Sequence, residues 1–203
     1  WYNRFMTVHN PKKEKTVFFI KPDGVKRGLV GEILSRFEKR GLKIIALDML
    51  LASKEEIDSH YPKDEAWIKR LGEKSLANYQ KYGVDPKEKL GTDNPLEIGR
   101  MIRNWVVEYM TSGPMVKGVV SGVHAIDMVR KICGNTLPNL AEMGTVRGDY
   151  SVDSAISANL NKRAVHNIVH ASENPEEAKN EIKLWFQEKE IHDYKRAEED
   201  IMF

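Results

Sequence analysis

The chain has 203 residues, a formal net charge of +2 at pH 7, 41% hydrophobic residues and 31% charged residues. This composition is typical of a globular protein and excludes a disordered or fibrous chain. The small net charge gives no reason to expect nucleic acid as the main partner. No run of about eighteen apolar residues predicts a membrane span. The single cysteine, Cys133, excludes an internal disulfide and favours a reducing compartment, so we expect a cytoplasmic location.

The N-terminal part of the chain predicts a polar extension, a strand and a helix. Residues 1–15 contain no apolar run with a cleavage site, so we predict no secretory signal there and assign one domain to residues 16–203. The β-branched and aromatic run 16–20 predicts a buried strand. A tight turn over 21–24 then leads into a helix. Its apolar residues share one face: Leu29, Val30, Ile33, Leu34 and Phe37.

The next part of the chain predicts a second strand and an inserted helical segment. The strand covers residues 43–52, and a helix follows from an N-cap at Ser53 to Tyr61. Residues 62–100 are charged and poor in β-branched side chains, so we interpret them as helical, with a loop over 83–95. Four apolar residues mark the inserted helix: Trp67, Ile68, Leu71 and Tyr79.

The second half alternates again between helices and strands. Apolar residues at helical spacing predict an amphipathic helix over 98–109, followed by a strand over 115–121. A short helix is predicted over 124–132. The polar stretch 133–162 shows little periodicity and is interpreted as a long loop, with one helical turn as an alternative within 153–163.

The last elements complete an alternating pattern. A strand is predicted over 165–169, ending at His170, and a final helix over 178–186. The whole order predicts a mixed α/β (α+β) fold. The chain has no glycine fingerprint of a dinucleotide site, and Lys21-Pro-Asp-Gly24 does not match the phosphate loop G-x-x-x-x-G-K-[ST], so a P-loop kinase is excluded.

His170 is the first candidate for chemistry because it follows a predicted strand at the edge of the sheet. The unperturbed pKa of histidine, near 6.5, leaves a neutral imidazole at pH 7 that can act as a nucleophile. Position alone favours a structural histidine whose nitrogens bond the backbone. The neighbouring residues distinguish the two interpretations.

The segment Asn167-Ile-Val-His170-Ala-Ser172-Glu173 resembles the active-site signature of nucleoside diphosphate kinases. The resemblance extends from about residue 16 to residue 195 and implies a ferredoxin-like antiparallel β-sheet covered by helices. It is carried by further blocks in the family's order: Phe19-Ile-Lys-Pro-Asp-Gly-Val25, Arg27-Gly-Leu-Val-Gly-Glu32, His60-Tyr61, Tyr109-Met-Thr-Ser-Gly-Pro114, Gly134-x-Thr136-x-Pro138, Gly144-Thr-Val-Arg-Gly-Asp149 and Glu181-Ile-Lys-Leu-Trp-Phe186.

The resemblance implies which side chains surround the phosphates and the ribose of a bound nucleotide. Cations would neutralise the phosphoryl oxygens, hydroxyl groups would donate hydrogen bonds, and an amide would reach the sugar. Taken singly, a lysine or arginine is more often a solvated surface charge. The implied set is Lys21, Tyr61, Arg130, Thr136, Arg147 and Asn167.

The resemblance also implies a catalytic group around His170. Glu181 would hold one imidazole nitrogen and leave the other free to attack, and Ser172 would hydrogen-bond that carboxylate. Lys21 and Tyr61 complete the implied catalytic set. The alternative for Glu181 is an ordinary surface glutamate on an amphipathic helix.

The family's activity is transfer of the γ-phosphate of a nucleoside triphosphate to a nucleoside diphosphate through phosphohistidine. For this chain the resemblance implies many substrates, including ATP and GTP, and a homo-oligomer, either a hexamer or a tetramer. Mg²⁺ is expected to arrive with the nucleotide phosphates, because no cluster predicts a protein metal cage. The alternatives are a nucleotide-binding relative without the reaction and a nucleic-acid-binding protein. Only the slight positive charge favours the second of these.

Two segments depart from the shorter family members, at about 62–100 and 153–165. Both flank the expected nucleotide site in the sequence, so they are candidates for a lid or for subunit contacts. The aromatic residue that the family stacks on the base is not assigned here. Three residues compete for that position: Ile102, Arg103 and Trp105.

Overall fold

The computed structural model describes residues 11–202 and contains, within that range, one four-stranded antiparallel sheet with the order β2-β3-β1-β4. Residues 1–10 of the predicted extension lie outside the described residues. β1 starts inside that extension, because the polar residues Glu14 and Lys15 pair with β3. The strands are β1 (Glu14–Ile20), β2 (Lys43–Leu50), β3 (Met115–Gly122) and β4 (Val169–Ala171).

The helices lie on both sides of this sheet, and most begin with a clear cap. The predicted N-cap Ser53 is confirmed: its hydroxyl accepts from the N–H of Glu56, whose side chain accepts in return. The helices are α1 (Pro22–Lys26), α2 (Val30–Lys39), α3 (Lys54–His60), α4 (Glu65–Lys81), α5 (Pro86–Leu90), α6 (Pro95–Met110), α7 (Ala125–Cys133), α8 (Val146–Tyr150), α9 (Ala155–Leu160), α10 (Pro175–Trp185) and α11 (Glu199–Met202).

Several sequence predictions were wrong because short helices carry no periodic signal. The predicted turn over 21–24 is part of α1, and the predicted loop over 83–95 contains α5. The predicted loop over 133–162 contains α8 and α9, whose first turns are capped by the hydroxyls of Thr145 and Ser154.

The last predicted strand was also misplaced, and the second was predicted too long. β4 covers Val169–Ala171 instead of 165–169, so His170 lies within the strand and not after it. The residues before β4 are kept from pairing by Ile168, which has a φ of 69°. β2 ends at Leu50, where its pairing with β3 stops.

The side chains of β1 divide the core into two layers. Val17 and Phe19 point to one face and pack beneath α3, α6 and α10, together with Trp185. Phe18 and Ile20 point to the other face and pack beneath α2 and α7. All four β1 residues are fully buried, which is the pattern of a strand covered on both faces. The helices thus cover both faces of an antiparallel sheet, as the ferredoxin-like interpretation predicted.

The predicted inserted helical segment forms α4, α5 and the start of α6. α4 and α6 meet at two glycines, because a Cβ at Gly72 would overlap the carbonyl oxygen of Pro95 and a Cβ at Gly99 that of Ile68. α9, from the second departing segment, packs on α4. Nδ2 of Asn159 in α9 donates to the buried hydroxyl of a serine in α4, at 2.5 Å. The two segments that depart from the shorter family members therefore form one packed unit.

Gly72→Ala is expected to lower the free energy of unfolding by about 2–3 kcal/mol, since the added methyl group must push two helix backbones apart. Urea unfolding followed by circular dichroism measures this change. Gly31→Ala in α2 is the matched control: nothing lies within 4 Å of the added Cβ. It should keep or raise the stability, by at most about 1 kcal/mol. Equal stability of the two variants would contradict the helix contact described above.

Candidate active site

His170 lies on the edge strand β4, opposite Phe19 of β1. Its ring stacks on that of Phe19, with centroids 5.1 Å apart, and Nε2 is 2.8 Å from Oε1 of Glu181. A carboxylate only accepts hydrogen bonds, so Nε2 carries the ring proton and Nδ1 keeps a lone pair. Burial, and then the cations Lys21 and Arg147, lower the pKa of His170 to about 3. The imidazole is therefore neutral at pH 7 and able to act as a nucleophile through Nδ1.

Glu181 is a buried carboxylate on α10, with 6% of its surface exposed. The hydroxyl of Ser172 donates to its second oxygen, Oε2, at 2.6 Å. The end of α10 is fixed on the sheet because Nζ of Lys117 donates to the carbonyl oxygen of Trp185 at 2.7 Å. Both carboxylate oxygens of Glu181 thus accept hydrogen bonds, and its position relative to the imidazole is set from two sides.

Lys21 and Asn167 are joined by a buried hydrogen bond, although 146 positions separate them in the chain. Nζ of Lys21 donates to Oδ1 of Asn167 at 2.7 Å, and Nδ2 of Asn167 donates to the carbonyl oxygen of Thr136 at 2.9 Å. Burial, and then the nearby charge of Arg147, lower the pKa of Lys21 to about 7. The ammonium group is therefore only partly charged near neutral pH and would gain charge beside an anion.

Arg147, on α8, is 6% exposed and donates to three backbone carbonyl groups. Its partners are Gly134 at 2.6 Å, Val169 at 2.7 Å and Asn167 at 3.2 Å. Burial lowers the pKa of the guanidinium. The arginine therefore braces the segment that leads into His170, besides adding positive charge.

The remaining predicted residues lie on the elements around this group. Arg130 on α7 and Thr136 are exposed. Within residues 11–202, the side chain of Arg130 forms no hydrogen bond and no ion pair, so its guanidinium is available to a ligand. Tyr61 caps α3, and burial raises the pKa of its hydroxyl, which stays a donor. Of the six predicted nucleotide contacts, the structure links four through Asn167, which bonds Lys21, Arg147 and the backbone of Thr136. Tyr61 and Arg130 are not hydrogen-bonded to this group within the described residues.

His60 and Trp185 were missed as partners of the site. Nε1 of Trp185 donates to Nδ1 of His60 at 3.2 Å, and the His60 ring meets the His170 ring edge-on, with centroids 4.8 Å apart. Burial, and then the neighbouring His170, lower the pKa of His60 to about 3, so this second imidazole is also neutral. The contact joins residues 125 positions apart, and its only signal in the sequence is that both residues lie in family blocks, His60-Tyr61 and Glu181-Ile-Lys-Leu-Trp-Phe186.

One group of possible metal ligands also contains His170. His60, His170 and Glu181 place one ligand atom each within 4.8 Å of one another. The described hydrogen bonds already use these atoms: Trp185 donates to His60, and His170 donates to the carboxylate. We interpret the group as a hydrogen-bond network that orients the imidazole.

In the part of the chain that the structure describes, every helix is too short or too polar to cross a bilayer.

Comparison with known proteins identifies the family of the chain. Residues 14–69 and 98–191 match the family model of nucleoside diphosphate kinase, which leaves 70–97 unmatched. A nucleoside diphosphate kinase of Pyrobaculum aerophilum is 54% identical over 178 residues, which are 88% of this chain and 97% of the relative. One from Pyrococcus abyssi is 40% identical over 190 residues, or 93% of both chains.

Two solved structures share the fold over most of the chain. The crystal structure of an NDP kinase from Pyrobaculum aerophilum has a TM-score of 0.86 at 52% identity and covers 89% of this chain and 100% of that one. A nucleoside-diphosphate kinase from Borrelia burgdorferi, described as a transition-state mimic with bound vanadate and ADP, has a TM-score of 0.73 at 33% identity and covers 94% and 96%. The chain belongs to the nucleoside diphosphate kinase family.

Proposed function

We propose that the chain transfers the γ-phosphate of a nucleoside triphosphate to a nucleoside diphosphate by a ping-pong mechanism through phosphohistidine at His170. The observation that carries the proposal is the 2.8 Å hydrogen bond between Nε2 of His170 and Glu181, which leaves Nδ1 as the nucleophilic atom. Family membership supports the reaction class.

The chemistry follows from the neutral imidazole and the cations beside it. The Nδ1 lone pair forms a bond to the γ-phosphorus while the bond from that phosphorus to the bridging oxygen breaks, and the nucleoside diphosphate leaves. Lys21, Arg130 and Arg147 reduce the negative charge on the transferring oxygens. Glu181 stabilises the positive charge that the imidazole gains. The second nucleoside diphosphate then takes the group from Nδ1 by the reverse route.

A divalent cation fits this site only as part of the substrate. Mg²⁺ prefers oxygen ligands, but both oxygens of Glu181 already accept hydrogen bonds from His170 and Ser172. The nearby charges of Lys21 and Arg147 are positive. Mg²⁺ would therefore be held by the nucleotide phosphates, where it spreads their charge.

The range of substrates and the assembly are parts of the same proposal. The residues that the resemblance implies would contact the phosphates and the ribose and not the base, which supports use of ATP, GTP and other nucleotides. Strand β2 lies at the edge of the sheet and exposes Leu47 and Met49, and Leu51 directly after the strand is also exposed. This apolar edge supports a homo-oligomer, either a hexamer or a tetramer. The single buried Cys133 supports a cytoplasmic location.

The alternative of a nucleotide-binding relative without the reaction has less support. Such a relative would be expected to lack the nucleophile or the cations, whereas His170, Lys21, Arg130 and Arg147 are all present. Binding to nucleic acid has only the net charge of +2 in its favour.

Brief mixing with ATP and Mg²⁺, without an acceptor, tests the proposal. Intact mass should show one acid-labile phosphoryl group per chain, peptide mapping should place it on His170, and added nucleoside diphosphate should remove it. A protein that binds ATP but gains no phosphoryl group would favour the nucleotide-binding alternative.

A further inference from the structure

The backbone immediately before the nucleophile adopts a conformation that β-branched residues rarely take. Ile168 has a φ of 69°, where a branched side chain crowds its own backbone. The N–H of Val169 donates to the carbonyl oxygen of Asn167 at 2.7 Å. Ile168 is therefore the centre of a γ-turn of the rare positive-φ form. Such a strained residue persists only where surrounding contacts fix it.

The segment around α1 supplies those contacts. The carbonyl oxygen of Ile168 accepts from the N–H of Lys21 at 2.7 Å, and the N–H of Ile168 donates to Oδ2 of Asp23 at 3.2 Å. Gly24 lets α1 lie against the turn, because a Cβ there would be 3.0 Å from Cγ2 of Ile168 and 3.2 Å from its carbonyl oxygen. Both backbone polar groups of the strained residue are thus bound to one short segment.

Tyr109, near the C-terminal end of α6, forms a hydrogen bond with the Asp23 carboxylate that contacts the N–H of Ile168. Its hydroxyl donates to Oδ1 of Asp23 at 2.5 Å, and the N–H of Gly24 donates to the same oxygen at 2.9 Å. The Tyr109 ring is 7% exposed and stacks on His166, with centroids 4.8 Å apart. The hydroxyl therefore connects α6, through one carboxylate, to the turn before the nucleophile.

We propose that Asp23 and Tyr109 are positioning residues for phosphoryl transfer: they hold the γ-turn at Ile168, and the turn sets His170 relative to Asn167. If the turn relaxed to an extended backbone, the amide of Asn167 would rotate relative to the imidazole. A nucleotide held by Asn167 would then no longer present its γ-phosphorus in line with Nδ1 of His170. Neither Asp23 nor Tyr109 needs to touch the nucleotide for this role. The inference rests on the proposed transfer through His170.

Tyr109→Phe tests the role because it removes only the hydroxyl. We expect kcat and the single-turnover rate of phosphorylation by ATP to fall by about 10-fold, since a small misplacement of reacting groups is costly. KM for ATP should stay within about 2-fold, since binding in the ground state is kept. Tyr79→Phe is the matched control: within the described residues its side chain is fully buried and its hydroxyl has no hydrogen-bond partner. The control should keep both constants.

A second pair of variants separates positioning from simple support of the fold. Asp23→Asn keeps one acceptor oxygen and should recover part of the rate that Asp23→Ala loses. Lower thermal stability of Tyr109→Phe with an unchanged kcat would overturn the proposal. So would equal losses in Tyr109→Phe and Tyr79→Phe. If the wild-type protein forms no phosphohistidine, the proposed function is refuted. The positioning role proposed for Asp23 and Tyr109 is then refuted as well.

Discussion

Exchange of His170 for glutamine is expected to lower turnover by at least about 10⁴-fold, because no other group can replace a lost covalent nucleophile. Glutamine retains an amide near Glu181 but has no nitrogen lone pair that can attack phosphorus. The variant should also gain no phosphoryl group from ATP. A coupled assay of nucleoside triphosphate formation measures the first effect, and intact mass measures the second.

The control for this exchange is His192→Gln. His192 is exposed, and it contributes a backbone hydrogen bond to Ile45 that the substitution leaves in place. This variant should keep full activity and full phosphorylation. The dissociation constant for ADP should be similar in all three proteins, which shows that the site is still folded. Residual phosphorylation of His170→Gln at another residue would contradict the assignment of the nucleophile.

The second large effect is expected for Lys21→Met, which should lower kcat/KM by about 10²–10³-fold, as loss of one positioned donor to developing charge typically does. Methionine has a similar length and no charge. Lys39→Met, at an exposed position of α2, is the matched control and should keep its activity. A loss below about 10-fold would mean that Arg130 and Arg147 suffice to neutralise the transferring group.

The same lysine should make nucleotide binding take up a proton. The pKa of Lys21 is lowered to about 7 by burial and by Arg147, so most of the unliganded protein lacks this charge at pH 8. Phosphate oxygens beside the amine favour the charged form, and binding therefore draws a proton from the buffer. Calorimetry of ADP binding in buffers of different ionisation enthalpy measures the uptake. It should be close to one proton in the wild type and absent in Lys21→Met.

The effect of this pKa on stability has a defined sign. The folded pKa, about 7, lies below the ordinary value of 10.5, so the unfolded chain binds more protons between these values. The free energy of unfolding should therefore rise as the pH increases from 7 towards 10. Below pH 7 the buried amine of Lys21 is charged, and the full cost of burying this charge lowers the free energy of unfolding. Lys21→Met should lack this rise in urea unfolding measured across the same pH range.

The sequence predicted the parts of the fold that have strong local patterns. The apolar run of β1 and the one-sided apolar face of α2 were placed within a few residues. The short helix α8 was missed, and one helical turn was the most that the sequence indicated where α9 lies, because a single turn is held by one capping hydroxyl and not by a repeated pattern. β4 was misplaced because the positive φ of Ile168 has no signal in the apolar pattern of 165–169.

The family resemblance predicted individual site residues. It did not predict the contacts between site residues that are far apart in the chain. Lys21 and Asn167 were named separately, and the structure joins them. His60 and Asp23 appeared only within family blocks and were given no role in supporting His170, because those roles depend on contacts with residues far away in the chain. A buried aspartate beside a turn and a buried histidine beside a tryptophan become informative only when the packing is known.

The glycine contact between α4 and α6 has a consequence for protein engineering. These helices hold each other at their backbones, at Gly72 and Gly99, while the connecting stretch 82–94 takes no part in that contact. α5, within this stretch, contains no buried residue. A reporter peptide or an affinity tag grafted between residues 83 and 91 would therefore leave the helix pair and His170 undisturbed. A chain cut at the same place would keep its two fragments together.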